Sequence, residues 1–156
     1  LGGEISLGLI LIRAVWGLIR QDPRFYQPTQ VRMTLTGTAG TPVTRDTAPM
    51  LILVASTLER LFLGIRPFWA PRDAAIGLTT IRGGAARFSR SILSLLRGQP
   101  NRHVTPGNGY ESFRADRIEL YFDGELNLDG ELFATAGGDI PLVISAQGPV
   151  RFLRPL

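Results

Sequence analysis

Two hydrophobic periods run along the 156-residue chain, and the switch between them sets the expected architecture. Residues 5–19 (ISLGLILIRAVWGLI) are apolar on nearly every side, with Glu4 ahead and Arg13 inside, and read as a buried helix. A bilayer span needs roughly 20 apolar residues with few charges, so this run is not read as one. Gln21-Asp22-Pro23 ends it, because proline restricts the residue before it and has no N–H to continue the ladder. Val31, Met33 and Leu35 then alternate with Arg32, Thr34 and Thr36, the period of a half-buried strand. Residues 37–47, rich in Gly, Thr and Pro, read as the loop of a hairpin. The unbroken apolar run 50–55 suits a strand covered on both faces.

Ser56 and Thr57 offer caps for a short turn over residues 58–62, and residues 64–71 (GIRPFWAP) form a turn segment before another strand at 75–82. Helical period returns over residues 85–97. Phe88, Ile92, Leu95 and Leu96 fall on one side, Arg87, Arg90, Ser94 and Arg97 on the other, with Gly98 and Pro100 as stop signals. After a loop at 99–109, short strands are expected at 112–115, 117–122, 125–128, 131–134, 142–145 and 150–153. Such dense strands, separated by Asp-Gly and Gly-Gly, favour antiparallel sheet over βαβ units. The expected class is α+β, mainly β: an antiparallel sandwich-like sheet with two packed helices. The length suits a single domain, residues 1–156.

Composition narrows the chemistry. Without cysteine there is no thiol nucleophile, disulfide or Cys-based metal site. All 17 basic residues are arginine. Absence of lysine removes a complete Walker A loop, a Schiff-base lysine and the usual protein-kinase lysine. Arginine still binds phosphate bidentately, so phosphate and lipid headgroups fit as partners, although a compositional bias is the first explanation of the arginines. The net charge of +4 is too small to imply nucleic acid. A cytoplasmic location is the simplest expectation. The start at Leu1, with neither an initiator methionine nor a basic leader, suggests a piece of a longer protein.

Two Asp-Gly-Glu segments hold the candidate chemistry: Asp123-Gly124-Glu125 and Asp129-Gly130-Glu131. Asp-Gly is a favoured hairpin dipeptide, so both can be plain turns. Alternatively, in extended chain, Asp129 and Glu131 would share a face, one carboxylate taking a proton while the other orients it or meets a metal. His103, the only histidine, has no Ser or Cys partner at a telling spacing and is given no role. Trp16 reads as core. Phe68 and Trp69, between Pro67 and Pro71, read first as core and second as lipid contacts. The Arg87, Arg90 and Arg97 face is either solvated or a dock for an anionic membrane surface.

Asp129-Gly130-Glu131 in a β-rich tail closing with Pro149-Val150-Arg151-Phe152-Leu153 resembles the C-terminal domain of the bacterial diacylglycerol kinase and sphingosine kinase-like lipid kinases. The segments LVASTLERLFLGIRPFW (53–69) and AIGLTTI, the helix ending Leu95-Leu96-Arg97-Gly98, and Gly109-Tyr110-Glu111-Ser112 follow in the order of that family. The resemblance implies the acceptor-side half of an enzyme that moves the ATP γ-phosphoryl group to a lipid hydroxyl. Asp129 would be the base, Glu131 its orienter or a magnesium organiser, and Gly130 the point where backbone approaches phosphate. ATP and Mg2+ would be the cofactors, and the lipid substrate and an inner-membrane surface the partners.

Departures accompany the likeness. Many members carry Asp-Gly at a structural magnesium site where Ala75-Ile76 stands here, leaving Asp73 as the substitute. The Gly-Gly-Asp-Gly-Thr phosphate loop of the ATP-binding domain does not occur in this chain, so the implied enzyme needs a preceding domain, and this chain alone would be inactive. The rival expectation is a non-catalytic β-sandwich that binds a partner or an anionic membrane surface, with both Asp-Gly pairs serving as turns.

Overall fold

A computed structural model describes residues 13, 16, 17, 20, 22, 26–61, 64–129, 131–135 and 137–148. Six strands form one antiparallel sheet in the order β4-β3-β2-β1-β5-β8, and β6 and β7 form a separate two-stranded sheet. The strands are β1 (Thr29–Thr36), β2 (Pro42–Ser56), β3 (Ile76–Arg82), β4 (Tyr110–Ala115), β5 (Arg117–Tyr121), β6 (Glu125–Leu128), β7 (Glu131–Ala134) and β8 (Leu142–Ser145). A single described helix, α1 (Phe88–Leu96), lies between β3 and β4 in the chain. The protein is therefore mainly β with a minor helical part, as its alternating pattern predicts. The strand expected at 150–153 lies outside the described residues, as does most of the helix expected at 5–19.

Alternation divides the sheet into two apolar faces. One gathers Val31, Met33, Leu35, Ile76, Leu78, Ala115, Ile118 and Leu120, all buried, with Leu53, Phe113, Leu142 and Ile144 packed at their margins. The opposite face carries Ile81, Tyr110 and Leu95 of α1, flanked by Ile52, Trp69 and Phe88. Both faces of β3 are occupied, and six of its seven residues are buried. Apolar burial of this kind is the main favourable term in folding.

Three expectations are corrected. The loop expected at 37–47 is shorter, because β2 begins at Pro42 and pairs Pro42 to Arg45 with Thr36 to Met33. Backbone pairing overrides the polar composition there. Register slips between Val31 and Met33, the signature of a bulge, and Pro42 and Pro49 sit at the strand start and near that irregularity. Trp16 is 56% exposed instead of core. Its ring lies under the Arg20 guanidinium, 5.0 Å from the centroid, one helical turn away and at cation–π range. Finally, α1 starts later than the pattern suggests. Arg87 takes a left-handed conformation (φ 56°) just ahead of it and gives no side-chain cap.

The far end of α1 follows its sequence signals. Gly98 adopts φ 67°, its N–H reaches the Leu95 carbonyl at 2.9 Å, and Gln99 N–H reaches that of Ser94 at 3.0 Å. That pair of bonds is a Schellman motif.

Candidate functional site

The β6–β7 ribbon leaves β5 and returns toward β8. Leu128 pairs with Glu131, so Asp129 and position 130 form a two-residue connection. Asp129 has φ 51°, the left-handed value required at the first central position of a type I′ hairpin and one that aspartate tolerates better than most residues. The extended geometry expected to place Asp129 and Glu131 on one face is therefore absent: Asp129 sits in a tight turn, Glu131 starts the return strand, and strand alternation does not relate them. Gly130 lies outside the described residues.

Asp129 and Glu131 are exposed. Neither carboxylate forms a hydrogen bond or ion pair among the described residues. The root of the ribbon is fastened differently. Thr135 Oγ1 accepts from Gly124 N–H at 3.1 Å and shares its own proton with the Phe122 and Gly124 carbonyls, each at 3.1 Å. Asp123-Gly124 is thus a bend into the ribbon and not a second two-residue hairpin.

Beside the ribbon is a cavity of about 340 Å³. Its walls include Val31, Leu53, Leu120, Leu142 and Ile144 of the main sheet, and all four residues of β6, Glu125 to Leu128, close its other side. Gln27 and Thr29 line it too, so apolar and polar groups share its walls, and it suits a ligand with both an aliphatic and a polar part. Glu125 is part of that lining, whereas Asp129 follows directly on Leu128 at the end of the same strand and is not. The sequence names Glu125 within the first Asp-Gly-Glu segment but one strand too early for the resemblance, and the cavity it borders exists only once β6 folds across the sheet.

The other singled-out residues lie elsewhere. Phe68 is buried against the backbone of Gly77, and Trp69 packs with Ile81, Leu95 and Tyr110; both rings belong to the core beneath α1. Asp73 is exposed, and its carbonyl accepts from Thr38 Oγ1 at 2.6 Å. No group of three or more His, Asp or Glu side chains able to hold a metal occurs among the described residues.

Arg87, Arg90 and Arg97 are exposed and form no ion pair among the described residues, and Leu93, 59% exposed, lies on α1 between Arg90 and Arg97. His103 faces this cluster: partial burial first, then the charges of Arg87, Arg102 and Arg90, lower its pKa from the ordinary histidine value. Its Nε2 accepts from Arg102 Nε at 3.3 Å. No helix among the described residues is long and apolar enough to cross a membrane.

No protein-family model, no curated protein and no solved structure matches this chain.

Proposed function

We propose that this chain is the acceptor-side domain of an ATP-dependent lipid kinase, completed by a separate nucleotide-binding domain. The observation that carries the reading is the pairing of a cavity whose sheet-side wall is aliphatic with a hairpin tip that carries two carboxylates, Asp129 and Glu131, just past the strand walling that cavity. An acyl or sphingoid chain lodges against Leu53, Leu120, Leu142 and Ile144, and its hydroxyl end lies toward the ribbon.

An alcohol is a poor nucleophile unless its proton has somewhere to go, and a carboxylate within hydrogen-bond reach meets that need. Asp129 accepts the proton as the hydroxyl oxygen attacks the γ-phosphorus, while the bond from that phosphorus to the β,γ-bridging oxygen breaks and ADP leaves. Glu131, two residues on, orients the hydroxyl. Magnesium characteristically takes one or two protein carboxylates and completes its shell with substrate phosphates and water; Glu131 is the residue here able to contribute one such oxygen, and the bound ion supplies charge neutralisation on the phosphates. Asp73 belongs to no group of three or more acidic or histidine side chains able to hold a metal among the described residues, so it builds no second site. The sequence resemblance supports the reaction class only, since selection among diacylglycerol-like and sphingoid acceptors depends on cavity shape.

Asp129→Asn is the decisive substitution. Asparagine tolerates the left-handed backbone of the turn, so the variant removes the base and leaves the hairpin. In the protein joined to its nucleotide-binding domain, ATP-dependent phosphorylation of a lipid panel should be lost while stability stays within about 1 kcal/mol, as for other surface changes. Unchanged turnover would remove Asp129 as the base.

A second reading has its own observation. The unpaired Arg87, Arg90 and Arg97 around exposed Leu93 form the pattern of a surface that rests on anionic lipid. A non-catalytic membrane-docking module would need nothing more, and a lipid kinase would use the same face to reach its substrate.

A further inference from the structure

A second cavity, of about 290 Å³, opens on the sheet face opposite the first, between the 59–72 segment, β4 and the C-terminal end of α1. Four arginines line it: Arg60, Arg66, Arg72 and Arg114. One acid, Glu59, accompanies them. Its carboxylate meets Arg114 at 2.8 Å and Arg72 at 3.1 Å, while Arg60 and Arg66 have no ion pair among the described residues.

Arg114 distinguishes this cavity from a solvated patch. Its side chain is only 2% exposed, and its guanidinium lies 5.5 Å from the centre of the Phe68 ring. Buried guanidinium groups are ordinarily hydrogen-bonded at every nitrogen, because an unsatisfied buried donor is costly. Arg114 Nε is buried and has no acceptor. A single carboxylate therefore stands among four guanidiniums, and the most buried of them keeps an empty donor.

The surroundings are held by backbone. Arg66 N–H bonds the Leu96 carbonyl at 3.0 Å, which ties the rim to the end of α1. Trp69 and Ala70 N–H both donate to Ser112 Oγ, at 3.2 and 3.3 Å, and Thr79 Oγ1 donates to the Pro67 carbonyl at 2.6 Å. Gly98 borders the cavity with no side chain; a Cβ there would come within 2.9 Å of the Arg66 carbonyl oxygen. The wall is thus fixed, and the charged groups converge on it.

We propose that this cavity binds a phosphate-bearing ligand, with Arg114 at its floor and Arg60, Arg66 and Arg72 at its rim. Guanidinium forks match the tetrahedral oxygens of phosphate, and several can share one such group. A cavity of this volume takes a headgroup-sized ligand. Glu59 holds Arg114 and Arg72 in place when the site is empty and competes with the incoming anion. The site shares no lining residue with the cavity beside the ribbon and does not rest on the kinase reading.

Calorimetric titration with inorganic phosphate and with glycerol 3-phosphate, at constant ionic strength, tests it. Saturable binding is expected, weakened about tenfold or more in the Arg60→Gln/Arg66→Gln double variant, as loss of one charge-assisted hydrogen bond implies. Glu59→Gln should tighten binding. Because Arg114→Gln threatens folding, the exposed pair and Glu59 carry the test. Vesicles of phosphatidylcholine with and without phosphatidic acid identify the source. Recruitment by phosphatidic acid that inorganic phosphate competes away marks a lipid headgroup, and soluble binding without recruitment marks a free phosphate compound. Absence of saturable binding by either soluble probe, or binding that the double variant leaves unchanged, overturns the proposal.

Discussion

Gly77 shows how one missing side chain shapes this protein. It lies on β3 opposite Arg114, and a Cβ placed on it would come 2.6 Å from Cγ of Phe68, well inside contact distance. The ring presses on bare backbone, which lets the 64–71 segment close over the sheet and brings Arg114 beneath it. Gly77→Ala should lower unfolding stability in urea by about 1–3 kcal/mol, the usual cost of overpacking. An unchanged midpoint would mean that Phe68 moves aside freely. No sequence pattern announces this contact. The glycine stands in an otherwise plain strand, and Phe68 is nine residues away in a turn whose aromatics read as core first but with no partner named. Arg60, Arg66, Arg72 and Arg114 were hidden for the same reason, since they spread over 55 positions and meet only through the fold.

Elements were more legible where period and punctuation agree. Alternation at residues 31–36 predicts β1, and Gly98 predicts the end of α1 through its left-handed φ. The start of β2 was not legible, because Pro42 to Thr47 is polar and exposed and gains its strand character from pairing with β1. The Asp129 turn was legible as a turn, but the facing of its carboxylates was not, because a left-handed residue breaks the alternation that the argument assumed. The β6–β7 ribbon pairs only with itself, and an isolated two-stranded hairpin is marginal in water. Leu128, Leu132 and Phe133 are all substantially exposed on it. Native-state hydrogen exchange should therefore show the amides of 125–134 opening well below the global unfolding free energy, with those of β1 and β3 near it. Equal protection in both sheets would refute that ranking.

Across the whole molecule, all cationic charge is carried by arginine, and it is sorted by environment. Some guanidiniums lie over aromatic rings, as Arg32 does over Tyr121 at 4.3 Å, some pair with acids, and the α1 face keeps its charges free. Docking of that face on membrane should appear as binding to phosphatidylglycerol vesicles that falls as salt is raised, because exposed charges are screened over a Debye length of about 10 Å at 0.1 M. Replacing Arg87, Arg90 and Arg97 together with glutamine should remove most of this binding and its salt dependence. A triple variant that binds as before would restrict α1 to packing.

The Thr135 hydroxyl has a mechanical consequence. Three contacts at the root of the ribbon meet at that single oxygen, whereas the tip is anchored to nothing in the larger sheet by strand pairing. Thr135→Val would release all three contacts at once, so the amides of 125–134 should exchange faster while those of β1 and β3 keep their protection.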